Sequence, residues 1–432
     1  MGFNYGPSIV TDGLKLYLDK YNEQSYPGEP TTNVVHYTNL NTGWSKGYNT
    51  NIVFDELPPP IGIEKSSAHQ TTVSFDDLLG GGGYWYSYGD HAPQDPSTTY
   101  TVSVYVQTVQ STPVSIQFYT ADNSEVGRYI SEAHYFTRDG ETNSGGTVIN
   151  NNIPDANGWI RIVWTTFTST SNAQSDSLSF QFGGFNDPAS APNRTSLCAP
   201  QMEAKSHATK YVGNSANNGT VTTRPTADGW KDLSGNGNHG TFTDLTYSAT
   251  NIPGTDRNDF SFDGTNDYLD LGADLAVSAD LNGWTAEFWF RSDSASTLQA
   301  FSSSDNDSLN ANWMNLYQSK IQLWNVSPGY WKMGSTTIQN DTWYQVVYVC
   351  KPGGIQYQFY VNGVAEGGDH VSNTWVASYS SLDIRYIGTY HYNNAKSRYW
   401  DGDIDIVKIY NRALTATEIL QNFNAHKSRY GL

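Results

Sequence analysis

The chain has 432 residues, too many for one small domain and enough for two or three. Acidic residues outnumber basic ones 42 to 24, a formal charge of −18, so a nucleic-acid backbone would be repelled, and no strongly basic patch stands out against that field. Charged residues make up only 15%, against a usual ~25%, while aromatics reach 14% and glycine contributes 39 residues, which excludes disorder and points to turn-rich β structure.

No stretch approaches ~18 consecutive apolar residues, so no membrane helix is expected. The opening Met1 to Pro7 has neither the basic nor the apolar segment of a secretory leader and lacks the Ser or Thr of a myristoylation motif, so neither is expected. Cys198 and Cys350 each lie in or beside an apolar run and are expected to be buried thiols, with a disulfide as the lesser reading.

In chain order, Pro58-Pro59-Pro60 and Gly80 to Gly83 read as loops inside a first β set. That set is marked by period-2 alternation at Val102, Val104 and Val106; Ile116 and Phe118; Ile160, Ile162 and Trp164; and Leu178, Phe180 and Phe182. A second set has Ala286, Phe288 and Phe290; Ile321 and Leu323; Val347 and Val349; Ile355, Tyr357, Phe359 and Val361; Ile384 and Tyr386; and Ile404 and Ile406. One face of each strand is expected to be apolar and the other wet, as sandwich sheets require. Asp139-Gly140, Asn157-Gly158, Pro352-Gly353-Gly354 and Asn362-Gly363 supply turns. One helix is expected near the end, where Thr415 and Glu418 form a capping box and Ile419, Leu420 and Phe423 share a face.

Five motifs in the last third carry a resemblance: Phe262-Asp263-Gly264-Thr265-Asn266-Asp267-Tyr268, Trp284 to Phe290, Trp343 to Val347, Tyr360 to Gly363, and Gly402 to Thr415. Together they resemble the laminin-G-like, concanavalin-A-like jelly roll, and the closing Glu418 to Leu432 is similar to its ending in structural proteins of tailed bacteriophages, cyanophages especially. In those proteins an opening like Asp12 to Asp19 and Ser25 to Gly28 runs almost directly into a segment like Asp232 to Gly240. Here the two are far apart, which implies a discontinuous domain whose Leu14, Leu16 and Leu18 strand joins the C-terminal sheet. The insert, through Gly158 to Thr165, Ala199 to Ala204, Tyr211-Val212 and Thr222 to Pro225, resembles carbohydrate-binding-module-type jelly rolls of phage tail and fibre proteins. It departs at Leu197-Cys198-Ala199-Pro200, where that family commonly has an aromatic and a glycine.

The reading is all-β: two antiparallel β-sandwich jelly rolls, one discontinuous, with a short C-terminal helix. The expected division is 1–32 as an N-terminal strand segment of the laminin-G-like domain, 33–225 as the inserted carbohydrate-binding-module-like jelly roll, and 226–432 as the laminin-G-like jelly roll.

Related glucanases place two Glu around an Asp on one strand face. Here Glu287 stands alone and Asp401, Asp403 and Asp405 have no neighbouring Glu, so catalytic residues are not expected. Zinc spacings, nucleophile elbows and phosphate loops are missing as well. Calcium is the one cation considered: Asp232, Ser234, Asn236 and Asn238 alternate like the start of an EF-hand loop, although Thr243 stands where the closing acid would be. The plainer reading is a hairpin turn, and Asp263, Asp267 and Asp270 form a second candidate of the same kind. No cofactor is required.

Sugar rings stack on exposed aromatic faces. Tyr84, Trp85, Tyr86 and Tyr88 follow four glycines in an expected loop; Trp313, Tyr317, Trp324, Tyr330 and Trp331 form a second group; and Tyr390, His391 and Tyr392 lie in a polar loop. Core packing or a subunit contact is the competing role for each ring. At −18, acidic polysaccharides are expected to bind poorly unless calcium bridges them.

The resemblance implies a non-enzymatic virion structural protein of a tailed phage (a fibre, spike, or head or neck decoration) assembled in the host cytoplasm. Its expected partners are other virion proteins, further copies of itself as a trimer, and host-surface glycans, with no nucleic acid and no membrane insertion. A secreted bacterial polysaccharide-binding protein is the alternative, and a glycoside hydrolase is a third reading opposed by the missing carboxylate set.

Overall fold

The computed structural model describes residues 8–29, 31–33, 44–46, 50–54, 57–60, 72–77, 84–87, 98–108, 114–121, 129–136, 147–148, 157–168, 178–184, 194–209, 211–212, 222–224, 229–251, 258–278, 282–305, 312–325, 330–353, 356–367, 370–371 and 381–432. Two units emerge, one of residues 1–29 with 226–432, the other of residues 30–225. The first break falls before Pro30 and not after residue 32, because the strand Thr31–Asn33 pairs with Thr222–Arg224 inside the second unit.

In the first unit, two antiparallel sheets enclose one core. A nine-stranded sheet runs in the order Thr246–Asn251, Asn258–Asp263, Asp401–Tyr410, Trp284–Ser292, Trp343–Cys350, Gln356–Val361 and Val364–Ala365, with His370–Val371 also paired to Gln356–Val361. Leu14–Asp19 lies antiparallel to Asp401–Tyr410, Leu18 opposite Val407. The facing sheet has eight strands: Gly229–Trp230, Gly240–Thr243, Tyr268–Val277, Leu382–Ile387, Gln299–Ser303, Asn312–Tyr317, Lys320–Asn325 and Tyr330–Met333. Leu16, Leu18, Phe288, Phe290, Val346, Tyr348 and Val407 from one sheet meet Leu269, Phe301, Met314, Leu316, Ile321 and Leu323 from the other. Burying a side chain of this kind contributes ~1.5–3 kcal/mol, so alternate positions on both sheets are committed to the interior.

The expected wet face of the nine-stranded sheet is in fact covered. Trp284–Ser292 is buried along nearly its whole length. Val347 and Val349, whose alternation marked their strand, face outward and pack with Val10, Leu414 and Ile419, while Val346, Tyr348 and Cys350 face the core. The helix Ala416–His426 supplies that cover and begins at the capping box of Thr415 and Glu418. Its buried residues are Ile419, Asn422 and His426, and Phe423 stacks on Trp289 at 5.7 Å, but Leu420 points to solvent, 45% exposed, contrary to the expected apolar face.

The second unit also has two antiparallel sheets. One runs Thr147–Val148, Ile160–Thr168, Thr99–Thr108, Arg194–Glu203, Thr72–Asp77, Thr50–Phe54; the other runs Trp44–Lys46, Tyr84–Ser87, Leu178–Gly184, Val114–Ala121, Tyr129–Phe136. The Asn157-Gly158 turn and the Pro58 to Pro60 loop are tied together, Trp159 Nε1 donating to Pro58 O at 2.8 Å and Asn157 Nδ2 to Pro59 O at 2.8 Å. The departure at Ala199 has a geometric counterpart: Ala199 sits at φ +54 where the pairing with Thr99–Thr108 shifts register between Cys198 and Gln201. Such a bulge residue is ordinarily glycine because a Cβ is strained there. Cys198 and Cys350 are both buried and are not joined to each other.

Candidate functional site

Four groups of side chains compete for the role of functional site, and their surroundings separate them. Glu287, fully buried, accepts hydrogen bonds from Trp289 Nε1 (3.0 Å), Gln345 Nε2 (3.0 Å) and Lys408 Nζ (2.9 Å) on Oε1 and from Asn422 Nδ2 (2.8 Å) on Oε2. Lys408 is equally buried, and burial holds its ammonium below the usual lysine range. Glu287 is thus an anchor that clamps the C-terminal helix to the sheet, sealed from any substrate. Asp405 and Asp403 likewise pair with Lys20 beneath the surface, and burial pushes the Asp405 carboxyl up to about 7.

The Asp232 loop is organised around its own backbone. Asp232 Oδ1 accepts from Tyr17 N (3.0 Å) and Ser234 N (2.8 Å), and Oδ2 from Asn238 N (3.0 Å) and Ser234 Oγ (2.8 Å). Asn236 and Asn238 donate their amides to Leu14 O and Lys15 O. The alternating polar residues that imitate a calcium loop serve here to fasten Leu14–Asp19 into the unit. Asp263, Asp267 and Asp270 do not converge either: Asp267 Oδ2 accepts from Asp263 N, and Asp270 is engaged by Arg385. Among the described residues, no group of three or more His, Cys, Asp or Glu side chains is placed to hold a metal ion.

In the second unit, the Gln201-Met202-Glu203 motif is also structural. Glu203 Oε1 accepts from Gln201 Nε2 (2.8 Å) and Thr209 N (2.7 Å), Oε2 from Thr31 Oγ1 (2.5 Å) and Thr209 Oγ1 (2.6 Å), while Gln201 Oε1 accepts from Val212 N (2.7 Å). The motif therefore pins the segment after its own strand. The expected aromatic loop is different from its sequence reading: Tyr84–Ser87 is a strand hydrogen-bonded on both sides, to Trp44–Lys46 and Leu178–Gly184. Four nearby glycines do not prevent this because Tyr and Trp favour pleated backbone. Gly80 to Gly83, Tyr88 and the side chains of Tyr84, Trp85 and Tyr86 lie outside the described residues.

The remaining group occupies the outer face of the eight-stranded sheet. Met314 and Leu316 point into the core, so Trp313 and Asn315 project outward. Trp313, Trp324 and Trp331 fall in register across three adjacent strands. Trp313 is 2% exposed, covered by Trp324 at 6.2 Å and by Tyr390 at 4.4 Å, and is therefore a support, not a free platform. Trp324 is half-buried and Tyr317 exposed; the side chains of Tyr330 and Trp331 lie outside the described residues.

Tyr390 belongs to a hairpin, Tyr390–Tyr392 paired with Ala395–Ser397, that folds over this face. Asn393 and Asn394 at its tip take φ +53 and +58, the left-handed pair that a two-residue hairpin turn requires. Its base is fixed by Ser303 Oγ, which donates to Thr389 O (2.9 Å) and accepts from His391 N (3.0 Å), and by Ala300 N donating to Arg398 O (2.9 Å). The result is a column: Tyr392 stacks on Tyr390 at 6.2 Å and 8°, Tyr390 packs on Trp313 at 4.4 Å with a 31° tilt, and the Arg398 guanidinium lies over Tyr390 (4.8 Å) and Trp313 (5.1 Å). Tyr392 is 41% exposed. Beside it, Lys396 lies over Tyr386 (4.4 Å) and Tyr268 (4.8 Å), and Arg385 grips Asp270 in a bidentate pair and also meets Asp305. Burial raises the Asp270 carboxyl, but the hydrogen bonds from Arg385 and Gly272 N together with the Arg385 and Lys396 charges outweigh it and hold the group below the usual carboxylate range. The Asn-Asn pair flanked by Tyr-His-Tyr and Ala-Lys-Ser is the sequence signal that would have marked this hairpin.

The hairpin and most of both sheets fall inside one matched region. Residues 263–420 match the concanavalin A-like lectin/glucanases superfamily. The match agrees with the two-sheet, jelly-roll-like architecture of the first unit. Among solved structures, the chain is similar to domain 4 of AbnA, a GH43 extracellular arabinanase from Geobacillus stearothermophilus, in complex with arabinotriose, at 19% identity and TM-score 0.32 over 44% of this chain and 91% of that one. It is also similar to the Ruminococcus gnavus IT-sialidase CBM40 bound to α2,3-sialyllactose (12% identity, TM-score 0.28, 33% of this chain, 83% of that one). The botulinum neurotoxin type G receptor binding domain is a third (16%, 0.30, 45% and 48%). No curated protein matches the sequence.

Proposed function

We propose that this chain is a non-enzymatic, glycan-binding structural protein of a tailed-phage virion, carried as a homo-oligomer that docks to other virion proteins and meets host-surface glycans through the first unit. The carrying observation is the exposed Tyr392 ring, held flat on the Tyr390–Trp313 column within the lectin-type segment. A ring with one face already stacked offers its other face at little entropic cost, and sugar C–H faces stack on such platforms. The virion assignment is supported by the resemblance of the opening, the insert and the closing segment to phage structural proteins. Assignment to binding instead of hydrolysis is supported by the sealing of Glu287 under the helix.

Glycan-array and host-cell binding of the purified protein tests the first part. Tyr392→Ala should weaken binding about 2- to 13-fold, the worth of ~0.5–1.5 kcal/mol of stacking, with an unchanged melting temperature; unchanged binding would refute the site. Peptide mass spectrometry of purified particles tests the second part, and absence of the chain from intact virions would refute it in favour of a secreted polysaccharide-binding protein.

A further inference from the structure

The hairpin carries charge of the sign opposite to the whole molecule. Arg385 is neutralised by Asp270 and Asp305, but among the described residues no carboxylate oxygen lies within 4.0 Å of the side-chain nitrogens of Lys396 or Arg398. Lys396 is partly offset, since its charge reaches Asp270. Arg398 is exposed, and its guanidinium lies over the aromatic faces of Tyr390 and Trp313. In a chain of net charge −18, an exposed guanidinium would be expected to find an acid for a partner. Its backbone is also unusual: Arg398 sits at φ +54, a left-handed conformation that Gly or Asn would adopt with less strain. The main chain there is pinned by the Ala300 N to Arg398 O hydrogen bond, so the guanidinium is presented from a fixed point. Strain of this kind, where the surrounding structure over-determines it, concentrates at functional sites.

A guanidinium lying over a ring keeps the N–H donors in its own plane available to an acceptor at its edge, and Arg prefers planar, bidentate acceptors such as carboxylates. Tyr392 and Arg398 both pack on Tyr390, at 6.2 Å and 4.8 Å, which is close enough for one or two sugar rings to span them. We infer that the Tyr390 to Arg398 hairpin recognises a carboxylate-bearing pyranose, of the uronate or sialate type. Tyr392 stacks on the C–H face of the sugar, Arg398 pairs with its carboxylate, and Lys396 adds attraction. This rests on the glycan-binding reading and specifies its ligand class; locally it reverses the expectation, drawn from net charge alone, that acidic glycans are repelled.

The test is an array of uronate-containing and sialylated oligosaccharides, each beside a neutral partner: carboxyl-reduced for the uronates, desialylated for the others. The two families of pairs distinguish the two sources of carboxylate. The native protein should hold at least one acidic member about 10-fold tighter than its neutral partner, and the preference should shrink as salt is raised. Arg398→Gln should abolish the preference without lowering the melting temperature, Arg398→Lys should restore part of it, and Tyr392→Ala should weaken acidic and neutral members alike. Equal binding of acidic and neutral partners, or a preference that survives Arg398→Gln, overturns the inference while leaving glycan binding in place. Failure to bind any member overturns both.

Discussion

Removing the charge of Glu287 should be among the most damaging single substitutions in the first unit, although it changes few atoms. In Glu287→Gln the Lys408 ammonium, fully buried with its pKa already lowered by burial, loses its counter-ion 2.9 Å away. Breaking a buried pair from one side costs ~3–5 kcal/mol, because the remaining charge stays out of water uncompensated. Gln also brings an NH2 group towards the Asn422 amide, which donates to Glu287 Oε2 at 2.8 Å and whose Oδ1 is taken by Val10 N. Lys408→Met alone should cost a similar amount by stranding the carboxylate. The double variant Glu287→Gln, Lys408→Met keeps an acceptor for Trp289 Nε1 and Gln345 Nε2 and removes both charges, so it should be more stable than either single variant. Urea melts followed by tryptophan fluorescence give the three values, with Trp289, stacked on Tyr430 at 4.6 Å, as a local reporter. If Glu287→Gln costs less than ~1 kcal/mol, or if the double variant loses the sum of the two singles, the pair does not clamp the helix as argued.

Three further outcomes follow from individual residues. Burial pushes the Asp267 carboxyl up to about 6, and its Oδ1 has no hydrogen-bond partner among the described residues; the folded state therefore binds a proton that the unfolded state releases near pH 4, stability should rise as pH falls from about 6 towards 4, and Asp267→Asn should flatten that slope in melts across pH while gaining ~1–3 kcal/mol near pH 7. Because donors already occupy both Asp232 oxygens, calcium and a chelator should give the same melting temperature, and a calcium-dependent rise would show an ion replacing those hydrogen bonds. Cys350 is buried and its thiol is pushed up to about 12 by burial, so thiol-reactive reagents should modify it only after denaturation; rapid native labelling at that position, read by peptide mapping, would contradict its placement.

Strand existence in this chain was readable because it rests on local alternation and on turn dipeptides. Val102 and Val104 are buried as their spacing requires, Ile321 and Leu323 face one core, and Thr415 with Glu418 opens the helix. The Leu14, Leu16 and Leu18 alternation marks a strand in the same way, and the pairing with Asp401–Tyr410 shows which sheet it enters. What alternation could not convey is which face receives a cover. Glu287 looked like a wet-face carboxylate because Thr285 and Arg291 on its face are polar and Trp289 alone did not reveal a cover, yet Asn422, 135 residues later, closes over it.

The candidate site divides along the same line. Composition determined that aromatic rings would be available in excess, and the run of Trp and Tyr along the chain located several of them. Sequence could not rank them, since Trp313 and Tyr392 are both aromatic residues in polar surroundings and differ only in what the hairpin places over one and leaves off the other. Net charge, a sum over the chain, likewise hid Arg398, whose guanidinium lies over two aromatic rings while Arg385 takes Asp270 and Asp305. Local chemistry thus determined the strands, the turns and the helix cap, because each depends on residues a few positions apart. Exposure, charge pairing and the choice of covered face were decided by tertiary structure, because each depends on neighbours brought in from tens to hundreds of residues away.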